Sequence, residues 1–392
     1  MILLAIWVAA NFFFSVGALR ETRRLLARAA LRRPPAVWPA LAILRPCAGA
    51  EPGLYENLLS TVTARYDGAR ELFLLVAEAS DPAYAIVQAV QARAAELQLP
   101  SRVEVVVTAI QTRHNRKVAQ LAAGEHLSTA EVVVIVDSDI RLEDESLPEL
   151  VTTLLHDPRA GAASCPSVDM RRTTLGDRAS GALLSSTPHA FFCLAALNEH
   201  SKSAQGLCGA FVAIKRPILE QIGGFASLER FLGEDFELAR RLHELGHTIP
   251  TARAPGRIMD EGRSLSSVLS RYGRWATVTR QQRPHLLSTY FLLLGAAPFL
   301  LAWSLVGLVL HAAYAPAVAA GVGVVLALRT ALAMTLRRAF GLRAGPLRSF
   351  CAMLLGELTI FFGSAGALGR PIVTWRGARF RVGRGGTIEL IA

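Results

Sequence analysis

Residues 132–142 read VVVIVDSDIRL, five branched apolar residues that give way to two carboxylates one residue apart, Asp137 and Asp139. Such an apolar run predicts a strand buried on both faces. Two acids at its end repel each other, and burial penalises each of them. Asp is also a common turn residue, so a plain strand-to-turn exit is the competing reading of this stretch alone. The chemical reading is a hard divalent cation, Mg2+ or Mn2+, which takes oxygen ligands and bridges them to a diphosphate. A third acid, Asp81 in EASDP, lies just past another apolar run, ELFLLVA at 71–77.

The elements that must position these acids are legible around them. LAIL (41–44), ELFLLVA (71–77), VEVVVT (103–108), VVVIVD (132–137) and AFVAI (210–214) read as strands. GLYENLLSTVTARY, PAYAIVQAVQARAAELQ, NRKVAQLAAGEHL and EDFELARRLHELG show helical spacing. Strands alternating with helices predict βαβ units and an α/β fold with a mainly parallel sheet. Ligands of such sheets sit beyond the carboxyl ends of the strands, where Asp81, Asp137 and Asp139 fall. Neither G-x-G-x-x-G after the first strand nor G-x-x-x-x-G-K-[ST] occurs, so a dinucleotide site and a P-loop are both unsupported.

Composition adds a membrane. The 392 residues are 52% hydrophobic, and the apolar residues concentrate at the two ends. Residues 1–19 carry no charge. They nearly cross a hydrocarbon core of about 30 Å. With no basic segment before them and no clear cleavage site after, they are read as a retained anchor. Arg20, Arg23, Arg24, Arg28, Arg32 and Arg33 follow in a basic segment, 20–35, which the positive-inside rule makes cytoplasmic. Membrane lipid headgroups are the simplest partner for this charge, and no nucleic-acid motif accompanies it. Residues 287–310 and 313–335 read as two spans, with Arg329 able to snorkel. The stretch 349–369 carries Glu357 and glycines and precedes a basic tail, 370–392, with Arg370, Arg376, Arg379, Arg381 and Arg384. It is expected to be a re-entrant or interfacial hairpin, which keeps that tail cytoplasmic. Five cysteines without a CxxC pair suit a reducing compartment rather than a disulfide framework.

Asp81, DSD at 137–139, GED at 233–235 and RYGRW at 271–275, taken in order, resemble the D, D, D, (Q/R)xxRW signature of the ceramide glucosyltransferases, glycosyltransferase family 21, within the family 2 group. NRKVAQL (115–121) and the tail RPIVTWRGARFRVGRGGT (370–387) are similar to that family too. The resemblance implies a GT-A-like domain over 36–262, an interfacial amphipathic helix over 263–286 and a membrane region over 287–369. It implies that Asp81 and Lys117 contact the nucleotide of a UDP-sugar. Asp137 and Asp139 would supply the metal contacts, and Asp235 would be the base that deprotonates the acceptor. Arg271, Arg274 and Trp275 would lie over the diphosphate, and His189 near the acceptor. The implied reaction moves a hexose, glucose first, to the hydroxyl of a lipid, ceramide first, with a hopanoid or other lipid as the alternative. The implied location is an integral membrane protein with a cytoplasmic catalytic domain, in the inner membrane of a bacterium or the Golgi or ER of a eukaryote. The family's animal members have Gly where Asp139 stands, so either acid could dominate metal binding.

The chemistry is coherent without the family. A hydroxyl attacking an anomeric carbon needs a base, worth roughly 10²–10⁴-fold. The leaving diphosphate needs positive charge, from a cation or an arginine. Asp235 opens a predicted helix, where a carboxylate also serves as an N-terminal cap. Arg274 and Trp275 also suit a simple interfacial anchor. HELGH at 243–247 matches the H-E-x-x-H zinc-protease pattern, with Glu261 available as a third ligand. That motif needs both histidines on one face of a continuing helix, and Gly246 is expected to end the helix before His247.

Overall fold

The computed structural model describes residues 2–98, 101–110, 114–195, 207–375 and 377–391. Arg376, one of the tail arginines, lies outside them. The chain divides into two compact units. One contains Ala29–Met170, Ala196–Asp260 and Trp375–Ala392; the other contains Met1–Arg28, Arg171–Ala195 and Glu261–Thr374. The segment 36–262 expected as one domain is therefore interrupted: residues 171–195 belong to the second unit, and the tail returns to the first.

Among the described residues the first unit holds nine strands before its tail, in chain order β1 (Leu41–Cys47), β2 (Arg70–Val76), β3 (Arg102–Val107), β4 (Val132–Val136), β5 (Ile140–Arg141), β6 (Ala162–Ser164), β7 (Ser167–Asp169), β8 (Phe211–Lys215) and β9 (Gly256–Ile258), and the tail adds Ala378–Val382 and Ile388–Leu390. Six form one sheet in the order β3-β2-β1-β4-β8-β6. β1 to β4 run parallel, with Leu41 opposite both Arg70 and Val132, while β8 is antiparallel to β4 and to β6. The sheet is thus mainly parallel and flanked by helices, the α/β architecture expected from the alternating pattern and the GT-A-like one that the family resemblance implies. β4 is buried along its whole length, as five branched residues in a row require. Val133, Ile135, Phe73, Leu75 and Val212 from the sheet pack with Leu238 and Leu242 of the Glu234–Glu244 helix in one apolar core. A smaller sheet, β5-β9-β7, follows the DSD turn.

The second unit is helical. Ile2–Ala29 is one continuous helix, so the expected anchor and most of the basic segment are a single element. Among the described residues three helices are long and apolar enough to cross a membrane: Ile2–Ala29, Ala315–Ala339 and Pro346–Leu368. Three expectations change here. Residues 349–369 do not form a hairpin, because the Pro346–Ala365 helix runs unbroken. The glycines that suggested a turn are packing notches instead. A Cβ on Gly356 would lie 2.4 Å from Thr187 Cγ2, and one on Gly363 would lie 2.9 Å from Tyr272 Cβ.

The break falls instead within 287–310. A π-helical turn at Tyr290–Leu294 is followed by Ala297–Val309, with a 49° bend between the two helical pieces. The backbone groups freed by the break find side-chain partners. Glu357 accepts from the Ala297 amide at 2.7 Å, and Arg329 donates to the Leu293 carbonyl at 2.7 Å. Arg329 does not snorkel. It is fully buried, paired with the equally buried Glu357, and bonded to Asn11 and Ser15 of the first helix. Irregular backbone is tolerated in apolar surroundings only where such partners satisfy it.

Candidate active site

In the sheet unit the site starts from Arg45, an arginine inside an otherwise apolar strand. It is fully buried in β1, and its guanidinium donates to three carbonyls of the DSD turn: Asp137 at 2.7 Å, Ser138 at 3.3 Å and Ile140 at 2.8 Å. It also holds Asn57 and Thr61 of the following helix. Burial lowers its pKa to about 10, with Cys47, Asp139 and Asp137 opposing, so it stays charged at neutral pH. Ser138 donates to Glu51 at 2.7 Å. The turn that presents Asp137 and Asp139 is thus fixed from beneath by a buried cation, and both carboxylates stay partly exposed.

Lys117 ties this turn to the GED segment. Its ammonium lies 2.7 Å from Asp137 Oδ1 and 3.2 Å from Glu234 Oε1. Burial disfavours that ammonium, but Asp137 and Glu234 outweigh it and hold its pKa above the ordinary lysine value. Lys117 stands in the first turn of the Arg116–Glu125 helix, which Asn115 caps by accepting from the Val118 amide at 3.3 Å. The same Asn115 side chain donates to Phe231 O at 3.0 Å and to Glu234 at 3.1 Å. One helix start therefore anchors both acidic motifs.

Asp235 sits in the first turn of the Glu234–Glu244 helix and accepts from the Phe236 amide at 2.9 Å. Burial first, and then the charge of Glu234, raise its pKa to about 7; Lys117 and the Phe236 and Gly209 amides pull the other way. Gly209 is required at its place: a Cβ there would lie 2.8 Å from Asp235 Cβ. The tail helps to place this segment. Leu232 N donates to Gly386 O at 3.2 Å, and Ile388 N donates to Arg230 O at 2.8 Å, just before GED.

Asp81 lies past the end of β2, as its position in the sequence requires. It accepts from the Gly49 amide at 2.7 Å and the Ala83 amide at 2.9 Å, joining the loops after β1 and β2. Arg271, Arg274, Trp275 and His189 belong to the helical unit. The Leu265–Gln282 helix that carries the first three is capped by Ser264. It buries Val268, Tyr272, Ala276 and Val278 and leaves Leu265 and Trp275 exposed. His189 comes together with Trp275, their rings stacked with centroids 6.4 Å apart, and Tyr272 and Tyr290 complete the cluster at 6.5 Å and 6.4 Å from His189. Trp275 is 39% exposed.

Among the described residues no three His, Cys, Asp or Glu side chains gather as a metal cluster. Asp137 and Asp139 nevertheless form an all-oxygen donor pair that fits a hard cation whose remaining ligands come from phosphate and water. HELGH does not fit zinc. Its helix ends at Glu244, Gly246 adopts φ +82, and His247 lies beyond the end with Nδ1 3.2 Å from Arg159 O.

Arg45 and Gly209 are not anticipated from sequence, and Asn115 and Glu234 lie in motifs quoted above without a role of their own. Arg45 had a signal, a lone cation breaking an apolar strand. Gly209 had none, because its role is the space it leaves.

Comparison with known proteins agrees with the motif order. The chain is 22% identical over 250 residues to ceramide glucosyltransferase 1 of Caenorhabditis elegans, covering 64% of this chain and 52% of that protein. It thus spans about half the length of that relative. It is 23% identical over 361 residues to ceramide glucosyltransferase 3 of the same organism, covering 89% of this chain and 74% of that protein. Among solved structures, the mannosyltransferase PcManGT from Pyrobaculum calidifontis, in complex with GDP-Man and Mn2+, is 16% identical with a TM-score of 0.49, covering 93% of this chain and 97% of that one. Glucosyl-3-phosphoglycerate synthase from Mycobacterium tuberculosis, in complex with Mn2+, UDP and glucosyl-3-phosphoglycerate, is 18% identical with a TM-score of 0.37, covering 64% and 79%. The model of glycosyl transferase family 21 matches residues 3–388, and the chain belongs to that family.

Proposed function

We propose that this protein is a membrane-bound inverting glycosyltransferase that moves a hexose, glucose first, from a UDP-sugar to the hydroxyl of a lipid, ceramide first. The observation that carries the reading is the joining of the DSD and GED motifs through Lys117, beside a carboxyl whose pKa lies near 7. A general base works best when its pKa is near the operating pH, and Asp235 meets that condition.

In this reading Asp81 and Lys117 hold the nucleotide and Asp137 and Asp139 face the diphosphate. A divalent cation bound by those two acids would neutralise the charge that grows on the leaving UDP. Arg271, Arg274 and Trp275 are assigned to the diphosphate side and His189 to the acceptor side. The Asp235 carboxylate takes the proton of the acceptor hydroxyl. The hydroxyl oxygen forms a bond to the anomeric carbon as the bond from that carbon to the UDP oxygen breaks, and the configuration inverts. Lys117 keeps Asp235 ionisable, since without its charge Glu234 and burial would hold the proton on. The catalytic unit is assigned to the cytoplasmic side, with the basic segment at 20–35 facing the same way.

The test is product analysis. Detergent-solubilised protein is incubated with a panel of UDP-sugars, ceramide and other lipid extracts, with Mg2+ or Mn2+, and the products are read by mass spectrometry. A hexosylceramide from UDP-glucose supports the proposal. Transfer only to water, or only to non-lipid acceptors, would overturn it.

A further inference from the structure

The three largest fully buried side chains are Arg45, Arg329 and Arg337, and they are not equally provided for. Arg45 has the carbonyls of the DSD turn, and Arg329 has Glu357, Asn11 and Ser15. Among the described residues Arg337 has the Arg343 carbonyl at 2.8 Å and the Ser186 hydroxyl at 3.1 Å. No carboxylate pairs with Arg337, Arg338, Arg343 or Arg348 among the described residues, and the segment 337–348, RRAFGLRAGPLR, contains no acid. The charges that act on Arg337 are Arg172 and Arg348, both of its own sign.

The helix geometry makes the imbalance worse. The C-terminal end of the Ala315–Ala339 helix favours cations at Arg337 and Arg338. The next helix begins at Pro346 with no acid in its first turn and no side-chain cap at Gly345, so its positive end faces Arg348. A buried guanidinium, three exposed arginines and uncapped helix amides thus meet at one joint. An anion with several acceptor oxygens would satisfy them together.

Its position says where such an anion comes from. The joint lies between two helices long enough to cross a membrane, at the ends of both, which is where phospholipid headgroups lie. We infer that the joint formed by Arg337, Arg343 and Arg348, with Arg172 beside it, is a binding site for the phosphate of an anionic phospholipid. Arg343 and Arg348 hold the phosphate from the exposed side, and the buried Arg337 guanidinium, fixed by the Arg343 carbonyl and Ser186, adds positive charge beneath it. The inference rests on the membrane part of the reading above and not on its transfer chemistry.

The test is native mass spectrometry of detergent-purified protein titrated with phosphatidylglycerol or phosphatidylcholine. The wild type should retain a phosphatidylglycerol adduct in preference to phosphatidylcholine. Arg343→Gln/Arg348→Gln changes only exposed side chains and should weaken that adduct by about tenfold or more. Arg337→Gln should do the same if it folds. Arg20→Gln/Arg23→Gln, a change of equal charge on the first helix, should leave the adduct in place. Equal retention in the Arg343→Gln/Arg348→Gln protein, equal loss in the Arg20→Gln/Arg23→Gln protein, or no preference over phosphatidylcholine would overturn the inference. Inorganic phosphate that stabilises the wild type as fully as phosphatidylglycerol would also overturn it, in favour of a free anion. A chain that stays soluble once detergent is removed would fail the membrane reading itself.

Discussion

Two buried charged clusters, one in each unit, use the same residue types to opposite ends. In the helical unit Arg329 and Glu357 are wholly enclosed, and Asn11, Ser15, the Leu293 carbonyl and the Ala297 amide take up their remaining hydrogen bonds. In the sheet unit Lys117 is shared by Asp137 and Glu234, with Asp235 close enough to feel Lys117 and Glu234. One positive charge there serves three carboxyl groups that remain partly exposed. The first cluster is closed and holds a bent helix together. The second is short of positive charge and open, the condition in which an ionisable group is kept ready to react and a cation is welcome.

This contrast can be broken in several ways. The largest effect on stability should come from the closed cluster. Glu357→Ala strands the Arg329 guanidinium and frees the Ala297 amide, and should cost on the order of 3–5 kcal/mol, read as a fall in the detergent unfolding midpoint. The double change Arg329→Met/Glu357→Met should recover part of that loss. If Glu357→Ala unfolds like the wild type, the cluster is not structural.

Lys117→Met should act mainly on the open cluster. Its ammonium lowers the Asp235 pKa, so its removal should move the acidic limb of the kcat/KM profile above the wild-type position near pH 7 and lower transfer at neutral pH. An unmoved limb would remove Lys117 from the site. The same carboxyl gives a stability signature. Its pKa is raised in the fold, from 3.8 to about 7, so its contribution to stability is fully present below pH 4 and lost as pH rises through about 7. The unfolding midpoint of the wild type, less that of Asp235→Asn, should therefore decline between pH 4 and 8. A flat difference would contradict the shift. The smallest effect belongs to an exposed pair outside both clusters. Arg93→Ala removes the 2.8 Å ion pair with Glu96 and should cost under about 0.5 kcal/mol.

The sheet unit was the more legible in the sequence because its signals are local. Five branched residues mark β4, and acids at strand ends mark the rim. What escaped was what lies underneath. Arg45 reads as an interruption of a strand until its guanidinium is seen to hold the next strand's turn. Gly209 matters only because Asp235, far along the chain, needs the space. In the helical unit hydropathy found the apolar stretches but misplaced the break. Gly356 and Gly363 look like turn formers in a list of residues, yet they are where neighbouring side chains approach an unbroken helix. The true break at Tyr290–Leu294 is marked only by Gly295 and Pro298 just after it, and the charged groups that satisfy it, Arg329 and Glu357, lie in other helices.

The measurement that bears most directly on the assignment of Asp235 compares Asp235→Asn with the wild type in two assays on one preparation, lipid glycosylation and UDP-glucose binding. Removing the proton acceptor while keeping the side chain's shape should lower transfer by roughly 10²–10⁴-fold and leave the dissociation constant within a few-fold. Transfer that survives, or binding that falls in step with it, would contradict the account.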